Sequence, residues 1–294
     1  MKIYINGGFF EKKDASISVF DHGFLYGDGA FEGIRSYGGN VFKLQEHIDR
    51  LYETSHTLMI DIPLSQKAMI KAIAQTLKTN SLKDAYIRVI VTRGEGDLVL
   101  DPKKCHGKPT IVIITDKIVL YPKEFYEKGM EIITVPTIRN NPDALNPLLK
   151  SMNYLNSILA KIEANNSGFN EAIMLDSHGY VAECTGDNIF ILHKGILSTP
   201  SQGRLRGITR DTVLQLAQKS GMEIRECLLT RHEIYISDEC FLTGTAAEII
   251  PIVKVDGRMI GKGQPGKTTL QLMKMFHEVT KRDGVKYPLN GRTT

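Results

Sequence analysis

The sequence predicts an α+β chain of two domains: a small N-terminal α/β domain over 1–118 and a larger α/β domain over 129–294. Three observations carry this. The 294 residues exceed the roughly 100–200 typical of one domain. The first stretch reads strand, strand, helix, helix, strand, strand, the pattern of an antiparallel sheet covered by helices. A segment bearing Pro122 and several charges, KIVLYPKEFYEK (117–128), then interrupts the pattern, and 119–128 reads as the linker.

The elements follow in order. MKIYINGGFFEKKD (1–14) reads as a hairpin and not as a signal peptide. Apolar residues at helical spacing predict helices over 44–59 and 66–78. Alternation predicts strands over 85–92 and 110–115. Beyond the linker a strand starts at 130–136, and NPLLKSMNYLNSILAKIEA (146–164) has a helical period with Lys150 at its entry. EAIMLDSHGYVAECTGDNIFILHKGILSTP (171–200) reads as a strand over 172–175, a turn, a strand over 180–183, and a hairpin across Lys194-Gly195. A helix follows Gly207. CFLTGTAAEIIPI (240–252) reads as strand, turn, strand.

Composition narrows the function classes. With 42% hydrophobic and 24% charged residues the chain is globular. The net charge of +4 is dispersed, which argues against a nucleic-acid or membrane partner. The four cysteines, Cys105, Cys184, Cys227 and Cys240, form no CxxC pair. That argues against a disulfide framework or a metal site and for a reducing, cytoplasmic setting. No apolar run approaches the ~18 residues that span a bilayer.

Four positions carry candidate chemistry. A lysine partly withdrawn from water can attack carbonyls and form a Schiff base, and Lys150 has apolar and small neighbours. Its plain alternative is a solvated charge at a helix start. Glu183 ends a strand, where a carboxylate is either solvated or paired with a cation such as a protonated ring nitrogen. Gly207, Ile208 and Thr209 open a helix whose free N–H groups suit a phosphate, or Thr209 simply caps it. Gly244 allows close backbone approach and Thr245 donates from hydroxyl and amide, although an ordinary turn fits as well.

Taken together, these positions and their motifs resemble one family. The motifs are HGFLYGDGAFEGIR (22–35), LQEHIDRL (44–51), AYIRVIVTRGEGDLVLDP (85–102), LKSMNYLNSILA (149–160), GYVAECTGDNIF (179–190), GITRD (207–211) and LTGTAAEI (242–249). In this order, from about residue 3 to about residue 280, the chain resembles the branched-chain amino-acid aminotransferases of fold type IV. The resemblance implies a small antiparallel-sheet domain, a larger α/β pseudobarrel domain and pyridoxal 5'-phosphate as cofactor. It also implies small amino acids and 2-oxo acids as partners, and a homodimer or higher homo-oligomer.

Residue by residue, the resemblance implies that Lys150 holds the cofactor and that Glu183 faces its ring nitrogen. Arg50 matches the phosphate arginine, where an i,i+4 pair with Glu46 is the plain alternative. Tyr154 matches the tyrosine beside the ring oxygen, Gly207, Ile208 and Thr209 one phosphate turn, and Gly244 and Thr245 the other. Tyr26, Arg35, Tyr86 and Arg88 match the substrate-carboxylate side, Phe31 the side-chain pocket, and Thr245 and Ala246 also line the substrate. The EGIR run (32–35) and the Tyr86/Arg88 pair set the chain apart from D-amino-acid transaminases and aminodeoxychorismate lyases, the alternatives within the fold. GEGDLVLDP (94–102) reads as a lid. From another class, residues 261–268 satisfy GxxxxGK[ST], a P-loop pattern. The short chain remaining after Thr268 leaves no room for the parallel sheet that such a loop serves.

Overall fold

The computed structural model describes residues 1–117 and 121–287. They form two compact units. One comprises the described residues of Met1–Ile118, Leu149–Asn153 and Thr280–Thr294, the other those of Val119–Leu148 and Tyr154–Val279.

The first unit begins with a hairpin of β1 (Lys2–Ile5) and β2 (Gly8–Glu11). Its turn residues Asn6 and Gly7 both have positive φ, 48° and 98°, as the tight turn between twisted strands demands. Helix α1 (His22–Tyr26) is capped by the Asp21 carboxylate at one end and by Gly27, left-handed at φ 69°, at the other. Then come β3 (Gly29–Tyr37), β4 (Asn40–Phe42), α2 (Leu44–Thr57), α3 (Gln66–Thr79), β5 (Ala85–Thr92) and β6 (Ile111–Asp116). The strand Gly284–Lys286 joins β4, and the sheet order runs from it through β4-β3-β5-β6-β1-β2. Every pairing in it is antiparallel.

Alternation assigns the faces. Ala85, Ile87, Val89 and Val91 of β5 are buried with Ile34 and Ile113 against Leu44, Ile48 and Leu51 of α2 and Ile73 and Leu77 of α3. Tyr86, Arg88 and Ile90 point to the opposite, half-buried face.

The second unit contains α4 (Lys123–Lys128), β7 (Met130–Thr134), α5 (Leu155–Asn166), β8 (Ala172–Leu175), β9 (Val181–Cys184) and β10 (Asn188–His193). It continues with β11 (Ile196–Pro200), α6 (Ile208–Lys219), β12 (Glu223–Cys227), α7 (Arg231–Tyr235) and β13 (Glu239–Gly244). The strands β14 (Glu248–Val255) and β15 (Arg258–Met259) and the helix α8 (Lys267–Thr280) complete it. Its sheet order is β12-β11-β10-β13-β14-β7-β8-β9, with β15 on β14. Strand β9 ends this order, yet β10 follows it after a short turn closed by the Cys184 N–H on the Asp187 carbonyl, 2.8 Å. The Val181 N–H also donates to the Leu229 carbonyl beyond β12, 2.7 Å. The sheet therefore curls until its ends meet, the pseudobarrel the resemblance implies.

Two segments differ from the sequence reading. Lys150 does not open a helix. Residues 150–152 run extended beside β3, with the Phe31 N–H on the Lys150 carbonyl at 3.0 Å and the Met152 N–H on the Gly29 carbonyl at 2.9 Å. This pairing overrides the helical period, delays α5 to Leu155 and draws Lys150 into the first unit. Of the 119–128 linker, 119–120 lie outside the described residues. The remainder holds α4 and Tyr121, which is buried in the core of the second unit.

Candidate active site

In the first unit, register brings four sequence-selected side chains to one sheet face. Gly33 of β3 stands opposite Arg88 of β5, and Arg35 opposite Tyr86. Phe31, two residues before Gly33, shares their face. Arg88 donates from Nη2 to the Tyr86 hydroxyl, 2.9 Å, and its guanidinium lies 4.4 Å from the Phe31 ring centroid. The Lys150 ammonium lies 4.6 Å from the same centroid. A Cβ at Gly33 would come within 2.2 Å of the Tyr86 hydroxyl, so this glycine makes room for Tyr86 to lie across the sheet. Arg35 stacks over Tyr37 at 4.9 Å. Tyr26 stands at the exposed end of α1, edge-on to His22.

Arg50 departs from the plain reading. It meets Glu32 of β3, donating from Nε at 2.7 Å and Nη2 at 2.9 Å. His47, one helical turn earlier on α2, shares Glu32 Oε2 at 2.7 Å. Glu32 is fully buried. Burial alone would raise its pKa, but the charges of Arg50 and His47 and their hydrogen bonds outweigh it and hold the carboxyl at about 2. His47 is shifted down, first by burial, with the charges of Arg50 and Lys150 acting in the same direction and Glu32 opposing them.

In the second unit, Glu183 near the end of β9 is buried, 6% exposed. Its Oε1 accepts from Arg139 Nε at 2.8 Å. Its Oε2 accepts from Asn188 Nδ2 at 3.1 Å and from the Leu205 N–H at 3.0 Å. A carboxylate oxygen takes about two donors. Oε2 is therefore filled by these partners, and Oε1 retains one acceptor position. Gly207 caps α6 without any side-chain hydrogen bond. The first N–H groups of this helix thus keep their dipole end for an anion. Ile208 is half-buried and Thr209 buried, inside the first turn. Gly244, Thr245 and Ala246 form the half-buried turn between β13 and β14. Tyr154 is the N-cap residue of α5.

The P-loop pattern has a different explanation. The Glu239 carboxylate sits at the start of α8, accepting from the Thr268 N–H at 3.0 Å and from the Thr269 N–H and hydroxyl at 2.7 Å each. A side-chain anion already occupies the place that a P-loop reserves for phosphate. The α6 terminus carries no such cap, so the residues there suit a phosphate and those at α8 do not.

Sequence reasoning missed Glu32, His47, Arg139 and Asn188. The signal for the first two was present: a lone acid inside the apolar run of β3, and His47 and Arg50 at i,i+3 on α2. Burial pushes the Cys184 thiol well up, which suits a packing role beside Glu183.

Comparison with known proteins gives one answer. The amino-transferase class IV family model matches residues 29–255. A Methanocaldococcus jannaschii relative, provisionally named a branched-chain-amino-acid aminotransferase, is 54% identical over 288 residues, 97% of this chain and 99% of that one. The crystal structure of the Escherichia coli branched-chain amino acid aminotransferase superposes with a TM-score of 0.93 at 32% identity, covering 98% of this chain and 99% of that one. The T.th. branched-chain amino acid aminotransferase complexed with N-(5'-phosphopyridoxyl)-L-glutamate gives 0.91 at 34%, covering 98% of each chain. With a buried strand-end carboxylate, an uncapped helix terminus and a lysine laid beside β3, and with a family match across most of its length, the chain belongs to the class IV aminotransferases.

Proposed function

We propose that this chain is a branched-chain amino-acid transaminase dependent on pyridoxal 5'-phosphate. It exchanges the amino group of L-leucine, L-isoleucine or L-valine with 2-oxoglutarate, giving the 2-oxo acid and L-glutamate. One observation carries the proposal: the T.th. enzyme, alike over 98% of both chains, is complexed with a phosphopyridoxyl group joined to L-glutamate. When bound, the cofactor supplies a ring that takes up the electron pair left at the substrate Cα.

The chain's own residues do the rest. Lys150 Nζ would hold the cofactor and, once displaced by the substrate amine, would carry the proton from Cα to the cofactor carbon C4′. Positioned proton transfer of this kind contributes about 10²–10⁴-fold. Glu183 Oε1 accepts the ring N–H and keeps that nitrogen protonated. The N–H groups of Ile208 and Thr209 and the Gly244-Thr245 turn bind phosphate oxygens, with Arg50 adding a fixed positive charge. The Tyr154 hydroxyl would stabilise the negative charge on the cofactor's ring oxygen. Arg35, Tyr86, Arg88 and Tyr26 receive carboxylates, and Phe31, Thr245 and Ala246 line the side-chain pocket.

A homodimer in the cytoplasm belongs to the same proposal. Leu155, Ile158, Leu159 and Ile162 of α5 are exposed at i, i+3, i+4 and i+7, an apolar stripe that suits a second copy of the chain. Phe20, Phe24 and Tyr26 around α1 are exposed as well. All four cysteines are free, as a reducing compartment favours. Glutamate formation from 2-oxoglutarate with each L-branched-chain amino acid tests the activity. Absence of turnover with all three, in protein reconstituted with cofactor, overturns it.

A further inference from the structure

Asn188, the first residue of β10, touches two parts of the second unit that the proposed function treats separately. Its Nδ2 donates to Glu183 Oε2 at 3.1 Å and to the Leu205 carbonyl at 3.0 Å. Both partners only accept, so the amide has one orientation. Its Oδ1 consequently faces the other way, towards Gly207. A Cβ at 207 would lie 2.0 Å from that oxygen. Gly207 has φ −71° and ψ 130°, an ordinary extended conformation, so glycine is needed there for space and not for backbone freedom. The Asn188 backbone is fixed opposite Thr243 of β13, and its side chain is buried among these partners. The preceding residue repeats the arrangement: a Cβ at Gly244 would lie 1.9 Å from Asp187 Oδ1.

We propose that Asn188 is a positioning residue that holds Glu183 and the Gly207 turn in one register. The ring carboxylate and the phosphate-binding end of α6 are then set by a single side-chain amide. This rests on the reading of Glu183 and α6 given under the proposed function. The terminal torsion of a glutamate is broad. With Asn188 and the Leu205 N–H filling Oε2, only Oε1 is presented to the ring. Without the amide the carboxylate is free to turn, and its placement relative to the Gly207 turn is no longer fixed. Among the described residues, Arg139 is in contact with Glu183, and Arg204, whose partner is Glu226, also acts on it electrostatically.

Two variants test this. Asn188→Asp keeps the shape but sets a second carboxylate against Glu183, and Asn188→Ser removes the amide and its two donors without adding charge. Three quantities are read: the Kd of the apo-protein for pyridoxal 5'-phosphate, the pH midpoint of the bound cofactor's absorbance, and the apo-protein Tm. Asn188→Asp should weaken cofactor binding about tenfold at pH 8 and less at pH 6, because the carboxylate pair takes up a proton as pH falls. Asn188→Ser should shift the absorbance midpoint by about half a pH unit or more, which loss of packing alone would not do. In the double variant Glu183→Gln/Asn188→Asp the new carboxylate at 188 meets no carboxylate at 183, so the charge repulsion is absent and only the contact with the Leu205 carbonyl is lost. Cofactor affinity should return to within about threefold of Glu183→Gln alone. An unmoved absorbance midpoint in Asn188→Ser, or an equal Asn188→Asp loss with and without Glu183→Gln, overturns the proposal. The two possible failures separate. Glu183→Gln with full kcat removes the reading of Glu183 itself, whereas an inactive Glu183→Gln beside an unmoved Asn188→Ser midpoint removes only the role of Asn188.

Discussion

Arg139 donates from Nε to Glu183 Oε1 at 2.8 Å, and both side chains are about nine-tenths buried. The Glu183 carboxylate is thus held by a permanent cation on one oxygen and by neutral donors on the other. Removing one member of a buried pair costs about 3–5 kcal/mol, because the other is left uncompensated. Arg139→Leu should therefore lower the apparent Tm on the order of 10 °C, while Arg139→Lys should lose less. Calorimetry on the apo-proteins decides this, and an unchanged Tm in Arg139→Leu would show that the pair contributes nothing.

Glu32 links acid stability to the first unit. Burial would raise its carboxyl above the ordinary value of 4.5, but the charges of Arg50 and His47 outweigh that and hold it at about 2. The unfolded chain binds that proton more readily than the folded one. The stabilisation is complete above pH 4.5 and is lost as pH falls towards 2. A shift of this size corresponds to roughly 3 kcal/mol. Glu32→Gln should be less stable than wild type at pH 7, and the gap should close between pH 4.5 and 2. Denaturant midpoints across that range measure it. A gap that stays constant with pH would rule out the linkage.

The α8 terminus offers a test of the P-loop pattern. Glu239 already caps Thr268 and Thr269, so ATP has no anion site there. A ligand at 100 times its Kd adds about 2.7 kcal/mol of stability. ATP should give no such shift, and Lys267→Ala should leave transamination within about twofold. Glu239→Ala should instead destabilise by about 0.5–2 kcal/mol, as lost caps do. An ATP-dependent Tm shift abolished by Lys267→Ala would reverse this.

In the proposed function, substrate choice follows from the sheet face that carries Phe31, Arg35, Tyr86 and Arg88. An extra buried methylene is worth about 1–3 kcal/mol, so L-leucine, L-isoleucine and L-valine should differ modestly. D-Alanine should react much more slowly, because inverting Cα exchanges carboxylate and side chain between unlike subsites. Single-turnover rates with each amino acid measure this. Equal or faster reaction of D-alanine would move the assignment to a D-amino-acid transaminase.

What the sequence revealed depended on whether the determining forces were local. Strand β5 has the predicted bounds, 85–92, because strict alternation over eight residues has one structural solution. The two helices over α2 and α3 begin where their apolar periods begin, and end within two residues of the expected positions. Lys150 was misplaced because its backbone partner is β3, more than a hundred residues earlier, and a helical period carries no trace of that pairing. The Glu32–Arg50–His47 cluster was hidden for a related reason. Each member looks like a surface charge until the strand and helix faces are brought together. At Glu183 the residue was legible, but its holders Arg139 and Asn188 were not, since they come from outside its own strand. Gly207 and Gly244 read from the sequence as phosphate turns. What the structure shows there is a steric reason for glycine, the close approach of Asn188 and Asp187.

The most direct test of the whole account is the attachment point of the cofactor. The protein reconstituted with pyridoxal 5'-phosphate and reduced with borohydride should carry the phosphopyridoxyl label on the peptide containing Lys150, as read by mass spectrometry. Lys150→Ala should carry none and should not transaminate. A label on another lysine, or a reconstituted protein that takes up no cofactor, would contradict the account.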